Sequence, residues 1–324
     1  VFGVYGNAGE TTAVSDSFSL TPGPVASLAF TTLPTTVKDA TALGSSAIQV
    51  TAYDAGGAIA TNSTDSVTLT AAAGYTLGGA GAKTVTLSSG VATFGNITVT
   101  GAAGNFTFTA TDAAVSVAQT SSNVRLNTKP SVTLVPTTSA QVTDTSATLR
   151  VDVVGHSTGS ATTVKFCYGT SAVFVGCTEV STTSIAASST TSATRKTATV
   201  SLLSPGTTYY YRATATNDVG STSDETGVFT TAPTITSVTD GDGFSSGPAA
   251  GGKTMTITGS GFGANSTEFA AKNLRVQFGE TASDLGTSVT YVSSTSITVV
   301  TPAHAAGTVN VYLLSGGGDG AQSD

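Results

Sequence analysis

Apolar and hydroxyl side chains alternate along most of this 324-residue chain. In residues 46–53, Ile48, Val50 and Ala52 fall on one face of an extended chain, and residues of more polar character fall on the other. The chain has 64 threonine and 40 serine residues, whereas the helix formers Lys, Glu, Arg and Gln are scarce. A two-residue period with β-branched side chains is typical of half-buried strands. The sequence therefore predicts an all-β fold and excludes a mainly helical one.

The charge balance excludes nucleic acid as a partner. The net charge is −7, and the 12 basic residues are dispersed, with Arg195 and Lys196 as the only adjacent pair. A phosphate backbone needs a basic stripe, which this pattern lacks. No apolar run approaches the ~18 residues of a membrane helix, so we expect no membrane insertion within the chain. Because an initiator Met and a signal peptide are lacking, we expect a mature or interior portion of a longer chain.

Residues 23–127 form the first predicted domain. The phrases SLAFTTLPTT, QVTAYDAGG and GVATFGNITVTGAAGNFTFTATD follow one another there, separated by turns rich in glycine or aspartate. They resemble the bacterial Ig-like modules of invasin-type surface proteins. The resemblance implies an Ig-like sandwich that serves as an extracellular spacer. Residues 1–22 are assigned to a terminal strand and linker that belong to a preceding or neighbouring unit.

Residues 128–232 form the second predicted domain, which begins around Pro130, where a proline suits an interdomain joint. The phrases TTVKFCYG and LSPGTTYYYRATATNDVGS resemble a fibronectin type III domain. The resemblance implies that Tyr209 is a structural corner residue whose hydroxyl bonds back to nearby backbone. The tryptophan that usually lies in the core of this family is absent from the sequence.

Residues 233–324 form the third predicted domain. The stretches TMTITGSGFG, LRVQFGE and TPAHAAGTVNVYLL occur in an order that resembles the IPT/TIG domain, another Ig-like sandwich. Gly259, Gly261 and Gly263 have the beginning of a dinucleotide-binding spacing. We interpret them as a tight turn between two strands, with no helix behind them to bind a phosphate.

The two ends of the chain are predicted to be related. An IPT/TIG domain has one more strand after its glycine-rich loop, and this chain stops within residues 316–324. We therefore expect the third sandwich to lack its last strand and to leave an edge unpaired. Three arrangements are consistent with this pattern: one period of a tandem array, a subunit that donates a strand to its neighbour in a filament, or a plain truncation. A short phrase at the N-terminus looks like the donated assembly strand: Val1, Phe2, Gly3, Val4 and Tyr5.

Two further groups of residues are candidates for covalent or metal chemistry. Cys167 and Cys177 are the only cysteines, and their short spacing lets them face each other across adjacent strands or a hairpin. An even count in a chain that looks secreted favours a disulfide, with a reduced, packed pair as the alternative. Asp240 and Asp242 form a weak calcium candidate, because two carboxylates in a flexible turn can bind this ion. Turn chemistry explains the same two residues without a metal.

The sequence contains no H-E-x-x-H motif, no G-x-S-x-G motif and no glycine-rich loop that leads into a helix, and no cofactor is expected. The leading hypothesis is a non-catalytic structural protein of the extracellular space or bacterial cell surface: a stalk, an adhesin shaft or a self-assembling filament. Its expected partners are further copies of itself, with a glycan or host-surface ligand as another class. The alternatives are accessory modules of a secreted polysaccharide-active enzyme and a component of a phage or virion fibre.

Overall fold

The computed structural model describes residues 21–189, 192–314 and 320–322. Three hydrophobic clusters succeed one another along the chain, within residues 25–126, 147–229 and 255–313. Strands form the sheets around each cluster, which confirms the predicted all-β fold of several sandwiches. The chain divides into two compact units, Val1–Thr128 and Lys129–Asp324, and the second unit contains two of the three cores.

The first sandwich surrounds the cluster within residues 25–126. Its sheets have the orders β1-β3-β7, β11-β10-β4-β6 and β2-β12-β9, with β5 and β8 as an additional pair. Only β2 and β12 run parallel among these strands. The strands are β1 (Ser27–Thr32), β2 (Thr36–Lys38), β3 (Ile48–Tyr53), β4 (Ser66–Ala71), β5 (Tyr75–Gly78), β6 (Thr84–Thr86), β7 (Val91–Phe94), β8 (Thr98–Gly101), β9 (Gly104–Phe106), β10 (Phe108–Asp112), β11 (Val117–Thr120) and β12 (Val124–Asn127).

The second sandwich has a three-stranded sheet, β13-β14-β17, and a four-stranded sheet, β16-β15-β18-β19. In β14, fully buried residues alternate with half-buried ones along the whole strand, as the two-residue period requires. A 3-10 turn, Ser139–Gln141, lies between β13 and β14. The strands are β13 (Ser131–Val135), β14 (Ser146–Val154), β15 (Thr163–Gly169), β16 (Thr178–Ser181), β17 (Thr194–Ser201), β18 (Thr208–Thr216) and β19 (Ser221–Thr230).

The core of the second sandwich is filled without tryptophan. Phe166 and Tyr211 are both buried, and their ring centroids lie 6.5 Å apart. The Tyr211 hydroxyl lies 3.3 Å from the Val135 carbonyl oxygen and 3.0 Å from the Thr137 hydroxyl. A large aromatic ring therefore occupies the core while its polar end keeps hydrogen-bond partners.

The third sandwich has the sheets β20-β21-β24-β23 and β22-β25-β26. Met255, Ile257, Ile297 and Val299 from the first sheet face Leu313 of the second across the core. The elements are β20 (Thr234–Thr239), β21 (Thr254–Ser260), α1 (Ser266–Lys272), β22 (Arg275–Phe278), β23 (Thr287–Ser293), β24 (Ser296–Val300), β25 (Val311–Leu314) and β26 (Gly320–Gln322).

Two features of the third sandwich differ from the sequence prediction. The glycine-rich turn at 259–263 leads into helix α1 and not directly into a strand. The Asn265 side chain accepts a hydrogen bond from the Glu268 N–H at 3.0 Å, and Glu268 accepts one from the Ala264 N–H at 2.9 Å. These reciprocal bonds satisfy backbone donors at the start of the helix, which stabilises a helix of only seven residues.

The second difference concerns the last strand. The sequence predicted that the segment after β25 is a loop that leaves the sheet edge open. The structure instead pairs Gly320–Gln322 as β26 with residues 312–314 of β25. A sheet edge carries backbone N–H and C=O groups without hydrogen-bond partners. Pairing with a neighbouring extended segment supplies those partners, which explains why β26 adds to β25.

Candidate functional site

A disulfide closes a loop on the four-stranded sheet of the second sandwich. Cys167 lies near the end of β15, and Cys177 immediately precedes β16. The two strands pair as an antiparallel hairpin, which brings the two Cα atoms to 5.6 Å, and the sulfur atoms are bonded. The disulfide predicted from the sequence is therefore present, and it constrains the loop between the strands.

This loop presents two apolar side chains to solvent. Val173 is 75% exposed and Val175 is 81% exposed, whereas Phe174 between them is only 8% exposed. Phe174 has a left-handed backbone with φ of 56°, which costs an L-residue about 1–2 kcal/mol. The Arg212 guanidinium lies 5.2 Å from the centre of its ring, a cation–π distance that helps to hold it. Phe174 thus anchors the loop while the two valines point outward.

An open groove of about 450 Å³ runs beside this loop on the outer face of the sheet. Lys165 pairs with Glu179 at 3.2 Å, and Arg212 pairs with Glu225 at 3.1 Å. These ion pairs are largely exposed, so each contributes at most about 1 kcal/mol. The groove offers hydroxyls and paired charges, which suit weak polar contacts. Its lining residues are Thr163, Lys165, Phe166, Cys167, Glu179, Arg212, Thr214 and Thr216.

Tyr209 lies at the corner between β17 and β18. Its hydroxyl accepts a hydrogen bond from the Ser204 N–H at 3.0 Å. Its ring stacks on Phe229 with 5.5 Å between centroids, and the Tyr168 ring lies 6.4 Å away. The side chain ties the corner to the core, which is a structural role and not a chemical one.

Asp240 closes the turn that follows β20. Its Oδ1 accepts hydrogen bonds from the backbone N–H groups of Phe244 at 2.8 Å and Asp242 at 3.0 Å. Its Oδ2 forms an ion pair with the Lys253 ammonium at 2.5 Å. The Lys253 side chain and these backbone donors hold the pKa of Asp240 below its usual range. A calcium ion bound by Asp240 and Asp242 would have to compete with the three hydrogen-bond donors that already contact the Asp240 carboxylate. The calcium site stays a prediction.

Within residues 21–189 and 192–314, no three His, Cys, Asp or Glu side chains are grouped so that they could hold a metal ion. No helix in this part of the chain has the length and apolar character needed to cross a membrane. The candidate assembly strand, Val1 to Tyr5, lies outside the described residues.

Hydroxyl pairs join neighbouring strands in all three sandwiches. The first sandwich has Thr31 with Thr51 at 2.9 Å, and the second has Thr214 with Ser223 at 2.8 Å. Further pairs are Thr68 with Thr84, Thr208 with Thr230, Thr216 with Ser221, Thr234 with Ser260, and Ser237 with Thr258. Such cross-strand pairs stabilise a sheet without charges.

Sequence reasoning missed the exposed valines. The signal was present, because the apolar run AVFV lies between two cysteines instead of within an alternating strand. A loop residue with an exposed large apolar side chain has no role in the core and is a candidate for a contact with another molecule.

Comparison with known protein families gives a match for one part of the chain. Residues 233–324 match the family model of the IPT/TIG domain, which confirms the resemblance of the third module. The chain is similar to the FN1–FN3 domains of chicken CNTN1, with 11% identity, a TM-score of 0.38, and coverage of 93% of this chain and 99% of that chain. It is also similar to the surface glycan-binding protein PbSGBP-B from Prevotella bryantii, with 12% identity, a TM-score of 0.22, and coverage of 60% and 41%. No curated protein sequence matches the chain.

Proposed function

We propose that this chain is a non-catalytic extracellular structural protein whose modules act as a stalk, an adhesin shaft or part of a surface filament. The observation that carries the proposal is the succession of three sandwiches, each with its own hydrophobic core. A module with its own core adds length without depending on the core of its neighbour. The match of the last module to the IPT/TIG family supports a modular architecture.

The Cys167–Cys177 disulfide supports a location outside the cytosol. Disulfides persist in oxidising compartments such as the extracellular space. Within that space we favour the bacterial cell surface, because residues 23–127 resemble invasin-type modules. The cross-strand hydroxyl pairs suit such a location, since neutral pairs are not screened by salt as exposed ion pairs are.

Further copies of the chain are the partner that we favour. In the part of the third sandwich that is described, β26 pairs only with β25. Its other edge offers backbone groups to an added strand, which is a common way in which proteins recognise extended segments. A head-to-tail contact of this kind does not close on itself and builds a filament. A glycan or host-surface ligand is a second class of partner.

Electron microscopy of the purified chain tests the filament form of the proposal. Regular end-to-end polymers that disappear when residues 1–5 are deleted support strand donation. Dispersed particles of the intact chain would contradict self-assembly, and the chain would then act as a spacer. Polymers that persist after the deletion would contradict the role of residues 1–5. Unchanged far-UV circular dichroism of the shortened chain is the control for folding.

A further inference from the structure

The linker between the second and third sandwiches is short and is bound to the second sandwich. Only residues 231–233 separate β19 from β20. Thr231 is 1% exposed; its N–H donates to the Thr207 carbonyl at 3.0 Å, and its hydroxyl donates to the Ser204 carbonyl at 2.7 Å. The Ala232 N–H donates to the Thr143 carbonyl at 3.1 Å. The linker is therefore bound to the second sandwich along most of its length.

Two glycines bring the backbones of the two sandwiches into direct contact. Gly206 follows Pro205 in the corner of the second sandwich, and Gly261 follows β21 in the third. A Cβ on Gly206 would lie 2.2 Å from the Gly261 carbonyl oxygen, and a Cβ on Gly261 would lie 2.8 Å from the Gly206 Cα. No side chain fits between these segments, so backbone packs on backbone.

A lysine from the third sandwich binds the same corner. The Lys272 ammonium, at the end of α1, donates a hydrogen bond to the Gly206 carbonyl oxygen. Burial lowers the pKa of Lys272 below its usual range, although Glu268 acts in the opposite direction. A cation that is partly withdrawn from water in this way depends on its acceptor in the other sandwich.

The partner segment in the third sandwich is itself held firmly. Thr234, the first residue of β20, pairs with Ser260, and their hydroxyls lie 2.6 Å apart. Phe262, which follows Gly261, is fully buried in the third core. Gly261 thus lies between a paired strand end, Ser260, and a residue buried in the third core, Phe262.

We infer that the second and third sandwiches form one rigid body, locked by the contact of Gly206 with Gly261 and by the bond from Lys272 to the corner. A force or a rotation applied to one sandwich is transmitted to the other without a hinge. The lock requires only contacts within residues 129–324, so it stands whether or not the chain forms a stalk.

Residual dipolar couplings of the full chain test the lock. They report whether the amides of two domains share one alignment tensor, which rigidly joined domains do. The variants are Gly206→Ala, which inserts a methyl group into the contact, and Lys272→Met, which removes the ammonium and keeps the backbone unchanged. Gly176→Ala is the matched control, because Gly176 has a similar left-handed φ of 68° but open space around its Cβ position.

One tensor is expected to fit both sandwiches of the wild type and of Gly176→Ala. Gly206→Ala and Lys272→Met are expected to lose this common tensor, so that the two sandwiches need tensors of different magnitude. Unchanged chemical shifts of core amides in each sandwich show that both remain folded. Two tensors in the wild type would overturn the inference. A single tensor in both junction variants, or a loss of the common tensor in Gly176→Ala, would overturn it as well.

Discussion

At the scale of single residues, Tyr209 holds the corner of the second sandwich through one hydroxyl. Tyr209→Phe removes the acceptor of the Ser204 N–H and keeps the stacked ring. The free energy of unfolding of this sandwich is expected to fall by about 1 kcal/mol, the usual contribution of one hydrogen bond. Hydrogen exchange of the buried Leu149 amide measures the change. Tyr210→Phe is the control, because the neighbouring Tyr210 faces outward; equal losses in both variants would contradict the assignment.

Asp240 makes the third sandwich sensitive to acid. Because the pKa of Asp240 is lower in the folded than in the unfolded chain, its carboxylate stabilises the fold above about pH 4. This contribution is lost as the pH falls through the folded-state pKa. In Asp240→Asn, the stability of the third sandwich is expected to be lower at pH 7 and to depend less on pH below 4. Urea unfolding at pH 7 and at acidic pH measures both effects.

Asp242→Asn is the matched control for that experiment, because it removes a carboxylate from the same turn. Asp242 contacts the Asp240 carboxylate only through its backbone N–H, which the substitution keeps. An unchanged acid dependence in Asp240→Asn would contradict the account. The same unfolding curves with added calcium test the calcium hypothesis. A rise in stability that both variants lose would support a calcium site.

At the scale of elements, the disulfide-closed loop should depend on its bridge. Replacing both cysteines by serine is expected to lower the free energy of unfolding of the second sandwich by about 2–3 kcal/mol, because the unfolded chain is no longer constrained over a separation of ten residues. Urea unfolding of the variant measures this loss. Mass spectrometry of the wild type provides the direct check. Absence of a two-hydrogen gain on reduction would contradict the bridge.

Sequence patterns predicted the strands well and two other elements poorly. Alternation along β14 and β18 directly encodes which face is buried, so it was visible without the structure. Helix α1 was missed because seven residues are too few for a helical period, although Asn265 and Glu268 have the spacing of a capping box. Strand β26 was missed because it depends on pairing with β25 and carries little pattern of its own.

At the scale of the whole molecule, long-range contacts limited what the sequence could predict. The three modules were recognisable because each phrase lies within one sandwich. Cys167 and Cys177 were predictable as a pair because the chain has no other cysteine. The contact of Gly206 with Gly261 joins segments of two modules, and each glycine taken alone looks like an ordinary turn residue. Only the folded chain shows why both positions require glycine.

Pulling single full-length chains from both ends tests the central claim that three separately cored sandwiches succeed one another. Three unfolding steps are expected, each releasing up to about 300–350 Å for a module of about 100 residues. The unfolding step of the second sandwich should be shorter while the Cys167–Cys177 disulfide is intact, because the residues between the cysteines cannot extend. Reductant should lengthen this step by the extension of those residues, which span a separation of ten. A single merged step, or smooth extension without steps, would contradict the claim.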